Sequence, residues 1–169
     1  MCIRDSLIAK YNAKVLLFYQ SKFEIGDDDT IAIKEIILQI KRTYLKNVVV
    51  FKQIYDLEKY AELIGLCDLI ISTRAIAVVI SIMKRVPVIG IDYALGKLKG
   101  FMELAKIEQY CVDWNNLDLD ILKEKINLAI KNRLYLKRKL ASISSILRKK
   151  AFLNAQLLLK LIMTKEKQT

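Results

Sequence analysis

Apolar residues along this chain come in short unbroken runs that alternate with stretches of helical spacing. Lys14–Tyr19 (KVLLFY) and Asn47–Phe51 (NVVVF) have the continuous character of strands buried on both faces of a parallel sheet. Between them, after a polar loop from Gln20 to Asp28, Ile33, Ile36, Ile37 and Ile40 predict a helix from about Asp29 to Leu45, capped by Asp29 or Thr30. Leu57–Leu66 reads as a short helix ended by Gly65. Leu69–Ile71 is a third strand, followed by a helix from about Arg74 to Arg85 with Ser72 or Thr73 as its cap. Pro87–Ile91 (PVIGI) is a fourth strand, leading to a loop that holds Asp92, Tyr93 and Gly96. A helix over about Lys97–Lys106, a short strand near Tyr110–Val112, a helix over Asp118–Asn132 and a long helix over Leu134–Met163 complete the chain.

Strands alternating with helices predict βαβ units. The expected fold is α/β: a Rossmann-like, doubly wound, mainly parallel sheet of about five strands with a long C-terminal helix. Residues 14–132 would form that domain, and 133–169 a basic amphipathic helix and tail. Residues 1–13 read as an N-terminal extension of the kind left by cloning or assembly, because Met1–Ser6 (MCIRDS) has no periodicity. Five glycines and one proline in 169 residues argue against an all-β sandwich. No G-x-G-x-x-G follows the first strand and there is no G-x-x-x-x-G-K, so the dinucleotide and P-loop fingerprints are missing.

Charge changes this picture at one end only. Lys131–Thr169 holds eleven Lys or Arg against the single acid Glu166, whereas the first 130 residues carry eighteen bases and seventeen acids. Three widely spaced cysteines without a C-x-x-C pair read as reduced thiols, pointing to a cytoplasmic location. The N-terminus lacks the basic-then-apolar pattern of a secretory leader, and no apolar run reaches bilayer length. With no histidine in the chain, imidazole ligands for zinc and imidazole bases are excluded. Asp27, Asp28 and Asp29 could suggest a metal cluster, but an acidic first turn that complements the helix dipole is the simpler reading, and no metal is expected.

The chemistry concentrates in Cys67–Phe101, where Arg74 falls at the turn from the third strand into its helix. Strand ends and helix N-termini converge at such corners, which is where α/β proteins bind ligands. Ser72 and Thr73 would shape the turn, and the N–H groups of Ala75 and Ile76 would face whatever Arg74 attracts. A guanidinium beside a helix N-terminus suits a phosphate or carboxylate. The alternative is a solvated Arg74 on the first helical turn, bound to a nearby acid. Lys97 could equally be one of a surface pair with Lys99, and Tyr93 could simply pack beside Pro87. Asp68 reads as a structural brace, and Cys67 and Cys111 as core.

The run D-L-I-I-S-x-R-x-x-A (from Asp68), V-P-V-I-G-I-x-Y (ending at Tyr93) and K-x-x-G-F-M (from Lys97) resembles the C-terminal half of the polysaccharide pyruvyl transferases. The similarity extends over about Val15–Leu159 and is most specific in residues 67–102. It implies a GT-B-like enzyme that transfers the pyruvyl group of phosphoenolpyruvate to a saccharide as a ketal. It also implies a second, N-terminal half. The family has Arg-Leu-His at this corner and the chain has Arg74-Ala75-Ile76, so Arg74 matches the anion-binding arginine and Ile76 replaces the histidine. The resemblance implies catalytic roles for Arg74 and Lys97, a donor pocket of Ser72, Thr73, Arg74, Ala75, Ile76, Tyr93 and Lys97, and no cofactor beyond phosphoenolpyruvate as donor.

Two rivals remain open. A GT-B glycosyltransferase domain would bind a nucleotide sugar in the same corner. A catalytically degenerate module would instead dock through its basic helix. Along that helix Leu140, Ile143, Leu147, Ala151, Ala155 and Leu158 keep to one face, predicting a helix that lies across the domain. Its cations would suit the anionic inner face of a membrane, where a lipid-linked saccharide acceptor would also reside. Nucleic acid is disfavoured, because no aromatic sheet face, helix-turn-helix or zinc module accompanies the charge.

Overall fold

A computed structural model describes residues 3–21, 28–93 and 96–165, with the side chains of the last two of these excepted. The chain divides into two compact units, Met1–Tyr60 and Ala61–Thr169. The boundary falls inside one helix, α3 (Leu57–Gly65), which Gly65 ends as expected.

In the first unit, β1 (Val15–Phe18) and β2 (Val48–Phe51) pair in parallel, with Val15 opposite Val48 and Phe18 opposite Phe51. That register stacks the Phe18 and Phe51 rings, 4.8 Å apart, and Tyr60 meets Phe18 edge-on at 6.0 Å. α1 (Ile3–Tyr11) is a helix in a segment where the pattern indicated no element, and Ile8 anchors it at 5% exposure. α2 runs only over Asp29–Leu38. The expected continuation to Leu45 is broken by Lys41, whose backbone is extended; Ile40 turns inward before the break, and a 3₁₀ stretch over Arg42–Asn47 follows. Asp28, rather than Asp29 or Thr30, caps α2 by accepting the Thr30 N–H at 2.7 Å. β1 and β2 are half-buried instead of buried on both faces, and Val49 is exposed. Among the described residues each of these strands pairs with one neighbour only, which leaves it an edge.

The second unit is a three-stranded parallel sheet in the order β3 (Ile70–Ser72), β4 (Val88–Asp92), β5 (Cys111–Asp113). All five expected strands therefore exist and all pairs are parallel, but they are shared between two sheets. β4 is the buried centre. Ser72 lies opposite Gly90 and Asp92 opposite Asp113, so the carboxyl ends of all three strands share one edge. α4 (Ala75–Lys84) buries Ala77, Val78, Ile80, Ser81 and Ile82. It closes with Arg85 in the left-handed region (φ 62), while Val86 N–H reaches back to the Ser81 carbonyl at 2.8 Å. This six-to-one closure normally uses glycine. α5 (Lys97–Leu104) seats Leu98 and Met102 on the sheet, and Gly96 supplies the φ of 89 that precedes it. α6 (Leu119–Lys131) is capped by Asp118, which accepts the Asp120 N–H at 2.6 Å.

α7 (Arg133–Lys165) departs from expectation. Leu136 and Leu140 are buried, and Ile143 and Leu147 half-buried, where its first half packs on α4 and α6. From Arg148 to Met163 every side chain is exposed, including Phe152, Leu157, Leu158 and Leu161. The single inward face therefore holds for the first four turns only; beyond it, apolar residues surround most of the helix. No helix among the described residues is long and apolar enough to cross a membrane.

Candidate functional site

β3 ends at Ser72 because the chain must turn there to lay the apolar face of α4 on the sheet. The Ser72 hydroxyl shapes the turn by accepting the Arg74 N–H at 2.9 Å, and it donates more weakly to the Arg74 carbonyl at 3.4 Å. Arg74 itself is the helix N-cap, with extended backbone (φ −94, ψ 125), so neither Ser72 nor Thr73 takes the cap position expected of it: Thr73 directly precedes the cap and Ser72 ends the strand. The guanidinium consequently leaves from the mouth of the strand rather than from the first helical turn. Arg74 is half-buried and already interacts with neighbouring groups. Ala75 and Ile76 head α4, where N–H groups have no intrahelical acceptor. Ile76 is 46% exposed, an aliphatic side chain presented at the ligand corner.

The neighbouring strand supplies a residue that the sequence pattern placed only in a loop. Asp92 closes β4 at 8% exposure, and its Oδ2 accepts the Lys99 N–H at 3.2 Å, tying the N-terminus of α5 to the sheet. Its signal was an acid directly after a buried strand. Tyr93 follows at the same edge and is 57% exposed, which rules out the packed position beside Pro87. Trp114, one residue past Asp113 on β5, is 55% exposed at that edge, and no periodicity in the sequence marks it. Lys97 heads α5 and is exposed, without an ion pair among the described residues; Lys99 reaches Glu103 at 4.0 Å. Residues 94 and 95, which join Tyr93 to this helix, lie outside the described residues. Ser72, Thr73, Arg74, Ala75 and Ile76 are consecutive at the corner, while Tyr93 follows the end of the adjacent strand and Lys97 heads the next helix.

The remaining candidates resolve into structural roles. Asp29 accepts the backbone N–H groups of Gln20 and Ser21 at 2.8 and 2.9 Å, and Asp28 is the cap; Asp27 lies outside the described residues. Among the described residues no cluster of acids and thiols could hold a metal. Asp68 accepts from Arg133 at 2.8 Å, bracing the start of α7. Cys67 and Cys111 are half-buried rather than core. Burial pushes both thiols above their ordinary pKa, reinforced by Asp68 for Cys67 and by Asp92 for Cys111. Neither is an activated nucleophile.

A strand-to-helix corner with a half-buried guanidinium, free helix N–H groups and exposed aromatic rings can hold a small anion beside a ring-bearing ligand. The family model for polysaccharide pyruvyl transferase matches residues 2–94, more than half of the chain. The chain belongs to that family. No curated protein and no solved structure matches it. The match takes in α1, both strands of the first unit, the Arg74 corner and Tyr93. It begins earlier than the resemblance at Val15 and stops before Lys97, so the family assignment of Lys97 has no support from it. The chain is thereby a pyruvyl transferase homologue, a transferase at the level of its family.

Proposed function

We propose that the β3–α4 corner binds the phosphoenolpyruvate donor of a pyruvyl transfer to a saccharide. The observation that carries this is Arg74 at the helix N-cap, half-buried at the carboxyl edge of a parallel sheet. Its fork pairs with a phosphate or carboxylate, and the N–H groups of Ala75 and Ile76 add the helix dipole. Lys97 neutralises remaining anionic charge. Tyr93 and Trp114, exposed at the same edge, offer rings to the sugar.

Forming the ketal requires a proton on the methylene carbon of the enol and departure of phosphate as the acceptor hydroxyls add. Arg74 stabilises the phosphate charge that develops on departure. Ile76 can donate no proton, and the chain has no histidine. Donor binding with little turnover is therefore the property assigned to this chain alone, and an N-terminal half would complete the acceptor cleft. Calorimetric titration with phosphoenolpyruvate tests the assignment. Loss of a charge-assisted contact should weaken binding about tenfold to a hundredfold in Arg74→Ala. Unchanged affinity in that variant refutes the site. A thermal-shift panel of nucleotide sugars separates the glycosyltransferase reading, which requires stabilisation by the sugar nucleotide and none by phosphoenolpyruvate.

A second reading concerns α7. Its exposed apolar turns beyond Arg148, flanked by cations and without an acid from Arg133 to Lys165, favour peripheral attachment to an anionic membrane surface. Flotation with phosphatidylglycerol vesicles tests this, and Leu157→Asp together with Leu161→Asp should abolish the attachment.

A further inference from the structure

At the other end of α4, about 15 Å from Arg74 along the ten-residue helix, the second unit has an open depression of about 370 Å³. Lys84 and Arg85 line it from the end of α4, Lys137 and Arg138 from the second turn of α7, and Gly65 and Ala141 form part of its floor. All four cations are exposed, and none is ion-paired among the described residues.

Helix electrostatics accounts for half of this cluster. Lys84 and Arg85 sit at the negative end of α4, where cations are favoured. Lys137 and Arg138 lie near the positive end of α7, which has no acid in its first turn to offset them. Four like charges around one hollow repel one another unless an anion joins them. Arg85 is unusual on a second count: it occupies a left-handed position (φ 62) that favours glycine, yet carries a guanidinium to the rim.

We propose that this depression is an anion site, distinct from the Arg74 corner, that binds a diphosphate group. Two guanidinium forks and two ammonium groups match the oxygens of two adjacent phosphates better than those of one. The diphosphate is carried either by a soluble molecule or by a lipid.

The test uses the full chain carrying Arg74→Ala, so that the donor corner does not report. Calorimetric titration with inorganic pyrophosphate at constant ionic strength should show one-to-one binding, with inorganic phosphate at least tenfold weaker. Lys137→Gln with Arg138→Gln should weaken pyrophosphate at least tenfold, whereas Lys149→Gln with Lys150→Gln, an equal charge change outside the hollow, should leave it unchanged. Arg85→Gly should weaken binding while raising the melting temperature, which separates lost affinity from lost folding. Absence of pyrophosphate binding, or equal losses in the Lys137/Arg138 and Lys149/Lys150 double variants, overturns the site. Flotation with phosphatidylcholine vesicles carrying a long-chain prenyl diphosphate assigns the source. Capture that soluble pyrophosphate reverses identifies a lipid, and pyrophosphate binding without capture identifies a soluble ligand.

Discussion

Replacing Gly90 by alanine inserts a methyl group where α5 packs on β4. A β-carbon there would come within 2.5 Å of the Met102 sulfur and 2.8 Å of Leu98 Cδ2. Both side chains are flexible, but Met102 is 0% and Leu98 2% exposed, so neither has open space to move into. Overpacking a filled core costs about 1–3 kcal/mol. Against this, alanine restricts the unfolded chain and recovers about 0.4–1 kcal/mol, because Gly90 does not need a positive φ. The net expectation is a loss of about 1–2 kcal/mol. Trp114 is the only tryptophan and lies in the second unit, so its fluorescence during urea unfolding reports on this core. Met102→Ala alone should cost about 2–5 kcal/mol by opening a cavity. Combined with Gly90→Ala it should cost less than the two separate losses together, because the new methyl fills part of the void. A Gly90→Ala protein as stable as the parent, or strictly additive costs, would show that α5 does not press on β4 as described.

Asp92→Ala removes the acceptor for the Lys99 N–H and should cost about 1–2 kcal/mol; faster hydrogen exchange at the start of α5, partly restored in Asp92→Asn, checks it. The raised pKa values of Cys67 and Cys111 mean that alkylation at neutral pH should be much slower in the folded than in the urea-unfolded chain. Because both folded values lie above the unfolded one, their contribution to stability is complete below the ordinary thiol pKa and is lost as pH rises through the folded values. Substituting both by alanine should flatten that alkaline loss in pH-dependent urea melts. Ending the chain after Leu147 should change stability by no more than about 0.5 kcal/mol in thermal melts, since no side chain from Arg148 to Met163 is buried; a larger loss would mean that distal α7 supports the fold.

Local patterns placed the strands, α3 to α7 and the Arg74 corner within a residue or two, because buried parallel strands and amphipathic helices impose periods that survive in any context. α2 is shorter than its apolar spacing implies, because Ile40 satisfies the helical spacing but is buried by a turn instead. α1 has no such signature, since its apolar and polar residues follow no strong period. The position of Arg74 was legible because an apolar strand, a short polar turn and an apolar helix follow one another directly in the chain.

Other features depended on packing between distant segments. Grouping of the five strands into sheets follows from pairing partners far apart in sequence, and no periodicity records which strand lies beside which. The burial of Asp92 and its hold on α5, the exposure of Tyr93 and Trp114, and the split of α7 into a packed and an uncovered half depend on what the neighbouring elements happen to cover. The basic hollow between α4 and α7 joins residues more than fifty positions apart, and only the packing of those two helices brings their charges to one place. The elements and the chemistry available at the corner are written in local pattern; which charges meet is set by packing, because burial and proximity are properties of contacts between segments and not of any segment alone.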